Sequence, residues 1–224
     1  RRFDGRVERT KQRPLARGAI RPTAALVLLI VLLSLSLAVV LSLDEASRQL
    51  CLLLSISALP AILLYPSAKR WFAYPQAVLA FCWGFAVLIP WAAAERSLTL
   101  QPALIGCWLA TLLWTFGFDT VYAMADRRDD AVIGLNSSAL SLGNRAVVTV
   151  RACYLLTIVA LGLAAASAGV HPLFWIFWLG AALLMQISCQ SLNHKNATMA
   201  SFGLHFRRQV QLGSLLLLGL IVSR

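Results

Sequence analysis

The chain has 224 residues, of which 59% are hydrophobic and only 13% are charged. Soluble domains of this size have about 45–50% apolar and roughly 25% charged residues, so one core could not bury this much apolar surface. The composition excludes an ordinary soluble domain and predicts an integral membrane protein surrounded by a lipid bilayer. The net charge of +11 does not indicate nucleic acid, because the basic residues alternate with apolar runs and form no separate basic region.

Seven apolar segments follow one another along the chain. Because a bilayer is crossed by about 20 mostly apolar residues, we predict an all-α, polytopic membrane helical bundle of about seven transmembrane helices. The predicted spans cover residues 23–43, 50–65, 75–94, 100–118, 147–168, 172–192 and 210–222. The last of these is the shortest.

The basic residues are divided unequally between the two sets of connecting segments. Seventeen of the twenty Lys and Arg residues fall in residues 1–22, 66–74, 119–151 and 193–209. Because cytoplasmic loops carry an excess of Lys and Arg, we predict that these four segments face the cytoplasm. An odd number of spans then places Arg224 on the opposite side.

The most informative connection starts where the fourth span ends, with the sequence DTVYAMADRRDD. If the helix continues, four polar side chains share one of its faces: Asp119, Tyr122, Asp126 and Asp130. Carboxylates this close to lipid are costly unless a cation lies between them, and Mg²⁺ is commonly held by one or two carboxylates plus substrate phosphates. Arg127 could bind phosphate oxygens in a forked geometry. The motif indicates a diphosphate site; a solvated loop of mixed charge is the alternative.

The same segment, followed by Ile133-Gly134 and Ser137-Ser138-Ala139, closely resembles the second aspartate-rich motif of the 4-hydroxybenzoate polyprenyltransferases. These enzymes belong to the UbiA superfamily of intramembrane prenyltransferases. The opening RRFDGRVERT, continued by Arg13-Pro14-Leu15, resembles the tail of their first motif, and YPSAKR at residues 65–70 matches a further family segment. The resemblance extends over the whole chain.

The resemblance implies a single membrane-embedded domain over residues 1–224 within a family fold of nine transmembrane helices. This chain would then lack the first helix and most of the second, and we expect little or no activity from a chain so shortened. Residues 1–22 would form a cytoplasmic loop with the tail of the first motif. Residues 119–146 would form a cytoplasmic loop with the second.

The resemblance also implies site residues. Asp126 and Asp130, with Asp4 from the first motif, would hold Mg²⁺ and the polyprenyl diphosphate and would carry catalysis. The residues implied to bind substrate are Arg70, Lys69, Tyr122, Arg9, Arg13, Arg127 and Asp119. We assign Arg70 first, and Lys69 second, to the carboxylate of the aromatic acceptor. Asn136 stands where the family commonly has Lys, and a nearby Arg could supply that charge.

The function implied by the resemblance is transfer of a polyprenyl group from polyprenyl diphosphate to the ring of 4-hydroxybenzoate, a step of ubiquinone biosynthesis. The expected location is a bacterial inner membrane, with the mitochondrial inner membrane as the other possibility. A related enzyme with another aromatic acceptor and a transporter are the alternatives. A transporter should carry charges near the bilayer midplane, whereas the acids here gather at one surface. The sequence does not indicate an oligomeric state.

Overall fold

A computed structural model of the chain describes residues 10–192 and 198–223, and within these ranges every regular element is a helix. The nine α-helices of these ranges are α1 Pro22–Leu41, α2 Glu45–Ala68, α3 Pro75–Glu95, α4 Pro102–Ala125, α5 Arg127–Val132, α6 Ser138–Leu142, α7 Ala146–Ser167, α8 Phe174–Ser188 and α9 Met199–Val222. Short 3-10 turns cover Gly143–Arg145 and Gln190–Leu192. The predicted all-α class is confirmed.

Six stretches of the described residues are long and apolar enough to cross a bilayer, and they confirm six of the seven predicted spans. The stretches are α1, α2, α3, α4, Ser138–Ser167 with α6 and α7, and Phe174–Leu192 with α8. Proline occupies the first turn of α1, α3 and α4, where the missing backbone N–H has no partner inside the helix to lose. The chain is an integral membrane protein.

Helix α2 begins earlier than predicted, at Glu45 instead of residue 50. The reason is Asp44, which accepts a hydrogen bond from the Ser47 backbone N–H at 3.4 Å and one from the Ser47 hydroxyl at 2.9 Å. A side-chain oxygen at this position satisfies an amide that the first turn of a helix leaves without a partner. Most of the connection predicted at residues 44–49 is therefore helical.

Helix α9 differs more from the prediction. The sequence predicts a connection over residues 193–209 and a span over 210–222, whereas a single helix covers Met199–Val222. Thr198 caps this helix, since its hydroxyl oxygen accepts a hydrogen bond from the Ser201 backbone N–H at 3.4 Å. The prediction of a connection was wrong for residues 199–209.

Polar residues explain why the start of α9 was predicted wrongly and why this helix is not a candidate membrane span. His205 and Gln209 are buried against other helices, so side chains typical of a connection occupy the interior face of a helix instead. The two arginines Arg207 and Arg208 add charge to the same half. Helix α9 is not among the candidate spans found in the described residues. The seventh span, and the side on which Arg224 lies, therefore stay predictions.

Buried side chains form two clusters. One lies between α2 and α3 and is centred on Cys51, Leu54 and Phe85. The larger one joins α4, α7, α8 and α9 and includes the fully buried Tyr154. Helix α1, in contrast, exposes apolar side chains along its whole length, and none of its span is buried inside the protein. A lipid bilayer supplies the apolar surroundings that such a helix requires.

Gly106 allows α4 and α7 to approach each other closely. A methyl group on Gly106 would stand 2.7 Å from the Ala160 backbone oxygen and 2.8 Å from the Ala164 Cβ atom. Because this backbone is held inside a helix pair, Gly106→Ala is expected to lower the free energy of unfolding by about 1–3 kcal/mol. Gly203→Ala in α9 is the control, since nothing lies within 4 Å of the added methyl group. Thermal unfolding in detergent compares them, and equal melting temperatures would contradict this reading of the α4–α7 contact.

Candidate functional site

The aspartate motif lies at the end of α4 and continues into α5. Helix α4 ends at Ala125, and α5 begins at Arg127. The helical hydrogen bonds nevertheless continue across the joint, since the Asp126 N–H donates to the Tyr122 carbonyl at 3.2 Å and the Asp130 N–H donates to the Asp126 carbonyl at 2.9 Å. The helix therefore continues past residue 118, where the predicted span ended, and this meets the condition under which the polar side chains of the motif share one face. Asp126 and Asp130 therefore keep the one-turn spacing that places them on one face.

Both carboxylates are removed from solvent. Asp126 is 4% exposed and Asp130 is 0% exposed. A buried carboxylate is costly unless charged or hydrogen-bonding groups surround it. For Asp130 one compensating group is Lys69, whose ammonium donates to both carboxylate oxygens, at 3.1 Å and 3.0 Å. Lys69 was predicted, after Arg70, to bind the carboxylate of the aromatic acceptor, and its contact with Asp130 was not predicted.

Backbone and hydroxyl groups bind the α2–α3 connection to the segment that follows the motif. The Asn136 N–H donates to the Lys69 carbonyl at 2.8 Å, and the Ser141 hydroxyl donates to the Ala73 carbonyl at 2.7 Å. Residues 69–73 are thereby held beside the segment that leaves α5. The basic pair Lys69-Arg70 lies next to the aspartate motif although the two are far apart in sequence.

Three further polar residues, all of them buried, hold the segment that follows α5: Gln76, Thr120 and Ser138. The Ser138 N–H donates to the Gln76 side-chain carbonyl at 2.8 Å, and the Ser138 and Thr120 hydroxyls share a 2.8 Å hydrogen bond. None of these three residues was predicted to belong to the site. The available signal was polar side chains at the ends of apolar spans, where an unpaired hydroxyl or amide is costly.

Aromatic rings cover the α4 side of the motif. Tyr122 stacks on Phe206 of α9, with ring centroids 3.6 Å apart and an angle of 13° between the planes. Phe118 meets both rings edge-on, at 5.3 Å from Tyr122 and 5.1 Å from Phe206. Tyr122 was predicted to bind substrate, and the structure places one face of its ring against Phe206. Phe206 itself was missed, because it falls in the segment predicted to be a connection.

The remaining predicted site residues are distributed as follows. Arg70 and Arg127 are exposed, and Arg13 is exposed in the turns before α1. Asp119 is half-buried in α4, one residue before Thr120. Asp4 and Arg9 lie outside the described residues. The structure thus brings together the second motif, Lys69 and Arg70, and it leaves the first motif untested.

The candidate ligands for a metal ion are the two buried carboxylates of the motif. In residues 10–192 and 198–223, no group of three or more His, Cys, Asp or Glu side chains is arranged to hold a metal ion. The second motif offers two buried carboxylates, Asp126 and Asp130, on one helical face. Mg²⁺ keeps several waters and is commonly held by one or two carboxylates plus substrate phosphates, so this donor set fits such an ion.

Comparison with known proteins identifies the family of the chain. A sequence profile described as the UbiA prenyltransferase family matches residues 1–207. The chain belongs to this family. The family assignment agrees with the resemblance of the aspartate motif and with the membrane-spanning helices that carry it.

Three curated relatives are similar to this UbiA-family chain. It is 40% identical to a 4-hydroxybenzoate solanesyltransferase of Synechocystis sp. over 221 residues, which are 99% of the chain and 74% of the relative. It is 35% identical to a 4-hydroxybenzoate octaprenyltransferase of Aeromonas salmonicida, covering 100% of the chain and 74% of the relative. A Janthinobacterium sp. protein of the same name is 34% identical over 86% of the chain and 64% of the relative. The UbiA-family chain spans between 64% and 74% of the length of these three.

A solved structure has the same fold as this UbiA-family protein. It is described as "Structural and mechanistic insights into the biosynthesis of Digeranylgeranylglyceryl phosphate synthase in membranes", and it matches with a TM-score of 0.66. The match covers 99% of this chain and 77% of the other, at 18% sequence identity. At that identity the likeness establishes the helical membrane fold and leaves the substrate open.

Proposed function

We propose that this UbiA-family protein transfers a polyprenyl group from a polyprenyl diphosphate to the ring of 4-hydroxybenzoate, a step of ubiquinone biosynthesis. The observation that carries the proposal is the pair of buried carboxylates, Asp126 and Asp130, one helical turn apart beside Lys69 and Arg70. Relatives at 34% and 40% identity that are named for prenyl transfer to 4-hydroxybenzoate support the choice of acceptor.

The carboxylates would hold a divalent cation, and we propose Mg²⁺. Bound there with the diphosphate, it would neutralise the negative charge that develops on the leaving group. Asp126 and Asp130 would be its ligands in the second motif, with Asp4 of the first motif as a further ligand. Arg127, Arg13 and Arg9 would bind phosphate oxygens, because a guanidinium matches the geometry of two such oxygens.

The reaction that these groups support is substitution on the aromatic ring. The allylic C–O bond breaks, and its electron pair leaves with the diphosphate. The ring carbon ortho to the phenol hydroxyl forms the new C–C bond, and loss of the proton on that carbon restores the aromatic ring. Apolar helices and the Phe118, Tyr122 and Phe206 rings exclude water, which would otherwise capture the cationic prenyl group.

We also propose that residues 1–224 belong to one membrane-embedded domain whose site faces the cytoplasm of a bacterial cell. The excess of Lys and Arg on one side supports this orientation. The curated relatives from Aeromonas salmonicida and Janthinobacterium sp. are bacterial, which supports the inner membrane as the location.

The test of the proposed function is a prenylation assay. Membranes from cells that express the complete gene encoding this chain are incubated with ring-labelled 4-hydroxybenzoate, a polyprenyl diphosphate and Mg²⁺. The expected result is a labelled, lipid-soluble product that depends on the gene and disappears when the metal is chelated. Product from a dihydroxynaphthoic acid instead would identify an enzyme with another acceptor. Uptake of label into vesicles without a new C–C bond would indicate a transporter.

Arg70→Ala is expected to raise the KM for 4-hydroxybenzoate by about 10- to 100-fold, because a charge-assisted hydrogen bond to the acceptor carboxylate would be lost. The KM for the polyprenyl diphosphate should change much less. Arg48→Ala, at the opposite end of α2, is the matched control and should leave both values unchanged. Steady-state kinetics with each substrate varied in turn measures the difference. An effect confined to the polyprenyl diphosphate would refute the assignment of Arg70.

A further inference from the structure

Polar side chains, of which all but Trp114 are buried, form a continuous chain of hydrogen bonds across four helices. The Trp114 indole N–H donates to the Gln209 side-chain carbonyl at 3.0 Å, and the Gln209 amide donates to the Ser188 hydroxyl at 3.0 Å. His205 Nδ1 lies 3.3 Å from the Ser188 carbonyl, and its Nε2 lies 2.9 Å from the Tyr154 hydroxyl. We call these five residues the polar chain. It joins α4, α7, α8 and α9.

The chemistry of His205 fixes the direction of its hydrogen bonds. A backbone carbonyl can only accept, so Nδ1 carries a proton toward Ser188, and in the neutral ring Nε2 then accepts from the Tyr154 hydroxyl. Burial lowers the pKa of His205, which favours this neutral form. His205 and Tyr154 are both fully buried, so a loss of either partner would leave a polar group without water.

The polar chain sets how α9 is rotated about its axis. His205 and Gln209 are four residues apart, so both lie on one face of α9, and turning the helix would break both contacts. The neighbouring Phe206 is thereby directed at α4, where it stacks on Tyr122. The Tyr122 carbonyl in turn accepts the hydrogen bond from the Asp126 N–H. A direct physical path therefore connects the polar chain to the motif.

We propose that the polar chain is a positioning device for the aspartate motif, with His205 and Phe206 as positioning residues for prenyl transfer. His205 fixes the rotation of α9, Phe206 transmits it by stacking on Tyr122, and the stack holds the end of α4 where the two carboxylates face the substrate. This inference rests on the proposed function for its catalytic consequence. Its structural part, the control of the end of α4 by α9, is independent of which substrate is used.

The kinetic test compares two substitutions of Phe206 with one substitution of Phe85. Phe206→Leu should lower kcat by about 10-fold or more with little change in either KM, because a small displacement of catalytic groups costs rate more than binding. Phe206→Tyr keeps the stacked ring and should restore the wild-type kcat. Phe85→Leu is the matched control, since it removes a ring from the α2–α3 cluster, where Phe85 meets Phe81 edge-on at 5.5 Å. A Phe206→Leu enzyme with wild-type kcat, or an equal loss in Phe85→Leu, would overturn the proposal.

Hydrogen exchange supplies a readout without activity. Mass spectrometry of peptides that cover residues 119–130 should show faster amide exchange in Tyr154→Phe and in Phe206→Leu than in the wild-type protein or in Phe85→Leu. Tyr154→Phe keeps the ring in place and removes only the hydroxyl, so it folds with less risk than His205→Ala. If the wild-type protein prenylates no aromatic acid but the exchange difference is present, only the proposed function fails. If exchange over 119–130 is unchanged in both variants, the positioning role is wrong.

Discussion

In the protein expressed from the complete gene, Asp126→Asn and Asp130→Asn are each expected to lower kcat/KM for prenyl transfer by about 10²- to 10³-fold, because each would remove a negative charge proposed to hold the cation at the leaving diphosphate. The metal concentration that gives half of the remaining rate should rise in both variants. Asparagine keeps the size and one carbonyl oxygen of the side chain. Because Asp130→Asn also removes the charge that Lys69 binds, Asp126→Asn is the cleaner test of a metal ligand. Initial rates measured over a range of Mg²⁺ concentrations give both quantities.

Asp129→Asn is the matched control for these two variants. Asp129 lies in the same short helix, but its position is one residue off the face that Asp126 and Asp130 share. It should retain most of the wild-type activity. An Asp126→Asn enzyme that turns over at the wild-type rate would contradict the assignment of the metal ligands. Equal losses at all three positions would mean that the motif acts through its total charge alone.

Lys69→Met is expected to destabilise the folded protein. The methionine fills the space of the lysine stem but leaves the Asp130 carboxylate, whose side chain is 1% exposed, without the ammonium that now binds both of its oxygens. Removing this charged partner of a buried carboxylate is expected to cost about 1–3 kcal/mol, less the part that water recovers at the Lys69 side chain, which is 35% exposed. Unfolding of the purified protein in detergent measures the change.

A double variant separates this structural role of Lys69 from catalysis. In Lys69→Met/Asp130→Asn the carboxylate that lost the ammonium is itself replaced, so the free energy of unfolding should return toward the wild-type value while activity stays low. Arg128→Met is a control for the loss of one positive charge at an exposed position of the same surface. A double variant as unstable as the sum of the two single variants would show that the ion pair does not couple Lys69 to Asp130.

Much of the fold could be predicted from local sequence, because membrane helices need long apolar runs, and such runs can be recognised without knowledge of long-range contacts. Residues 75–94 illustrate this, since the observed helix Pro75–Glu95 differs from the prediction by one residue. The continuation of α4 into the aspartate motif was also predictable, because the acidic residues keep helical spacing. Helix α9 was not, because the polar residues in its first half suggest a connection until their partners on α7 and α8 are known.

The candidate site was predictable in its parts but not in its contacts. The motif residues Asp126 and Asp130 carry a recognisable spacing, and the pair Lys69-Arg70 was selected as well. That Lys69 binds Asp130 depends on two segments 61 residues apart in sequence, and no local pattern encodes such a pairing. The same holds for Tyr154 and His205, which are separated by 51 residues. Long-range pairs of polar groups require the packed helices to be seen.

The most direct test of the central claim, that the second aspartate motif binds a prenyl diphosphate through a divalent cation, is a binding measurement. A labelled prenyl thiodiphosphate, in which sulfur replaces the reactive bridging oxygen and slows bond cleavage, is titrated into the purified protein with and without Mg²⁺. In the wild-type protein and in Asp129→Asn, saturable binding is expected in the presence of Mg²⁺ and not in its absence. In Asp126→Asn, binding in the presence of Mg²⁺ should be strongly weakened. Equally tight binding in the presence and absence of the metal, or in Asp126→Asn and the wild-type protein, would contradict the claim.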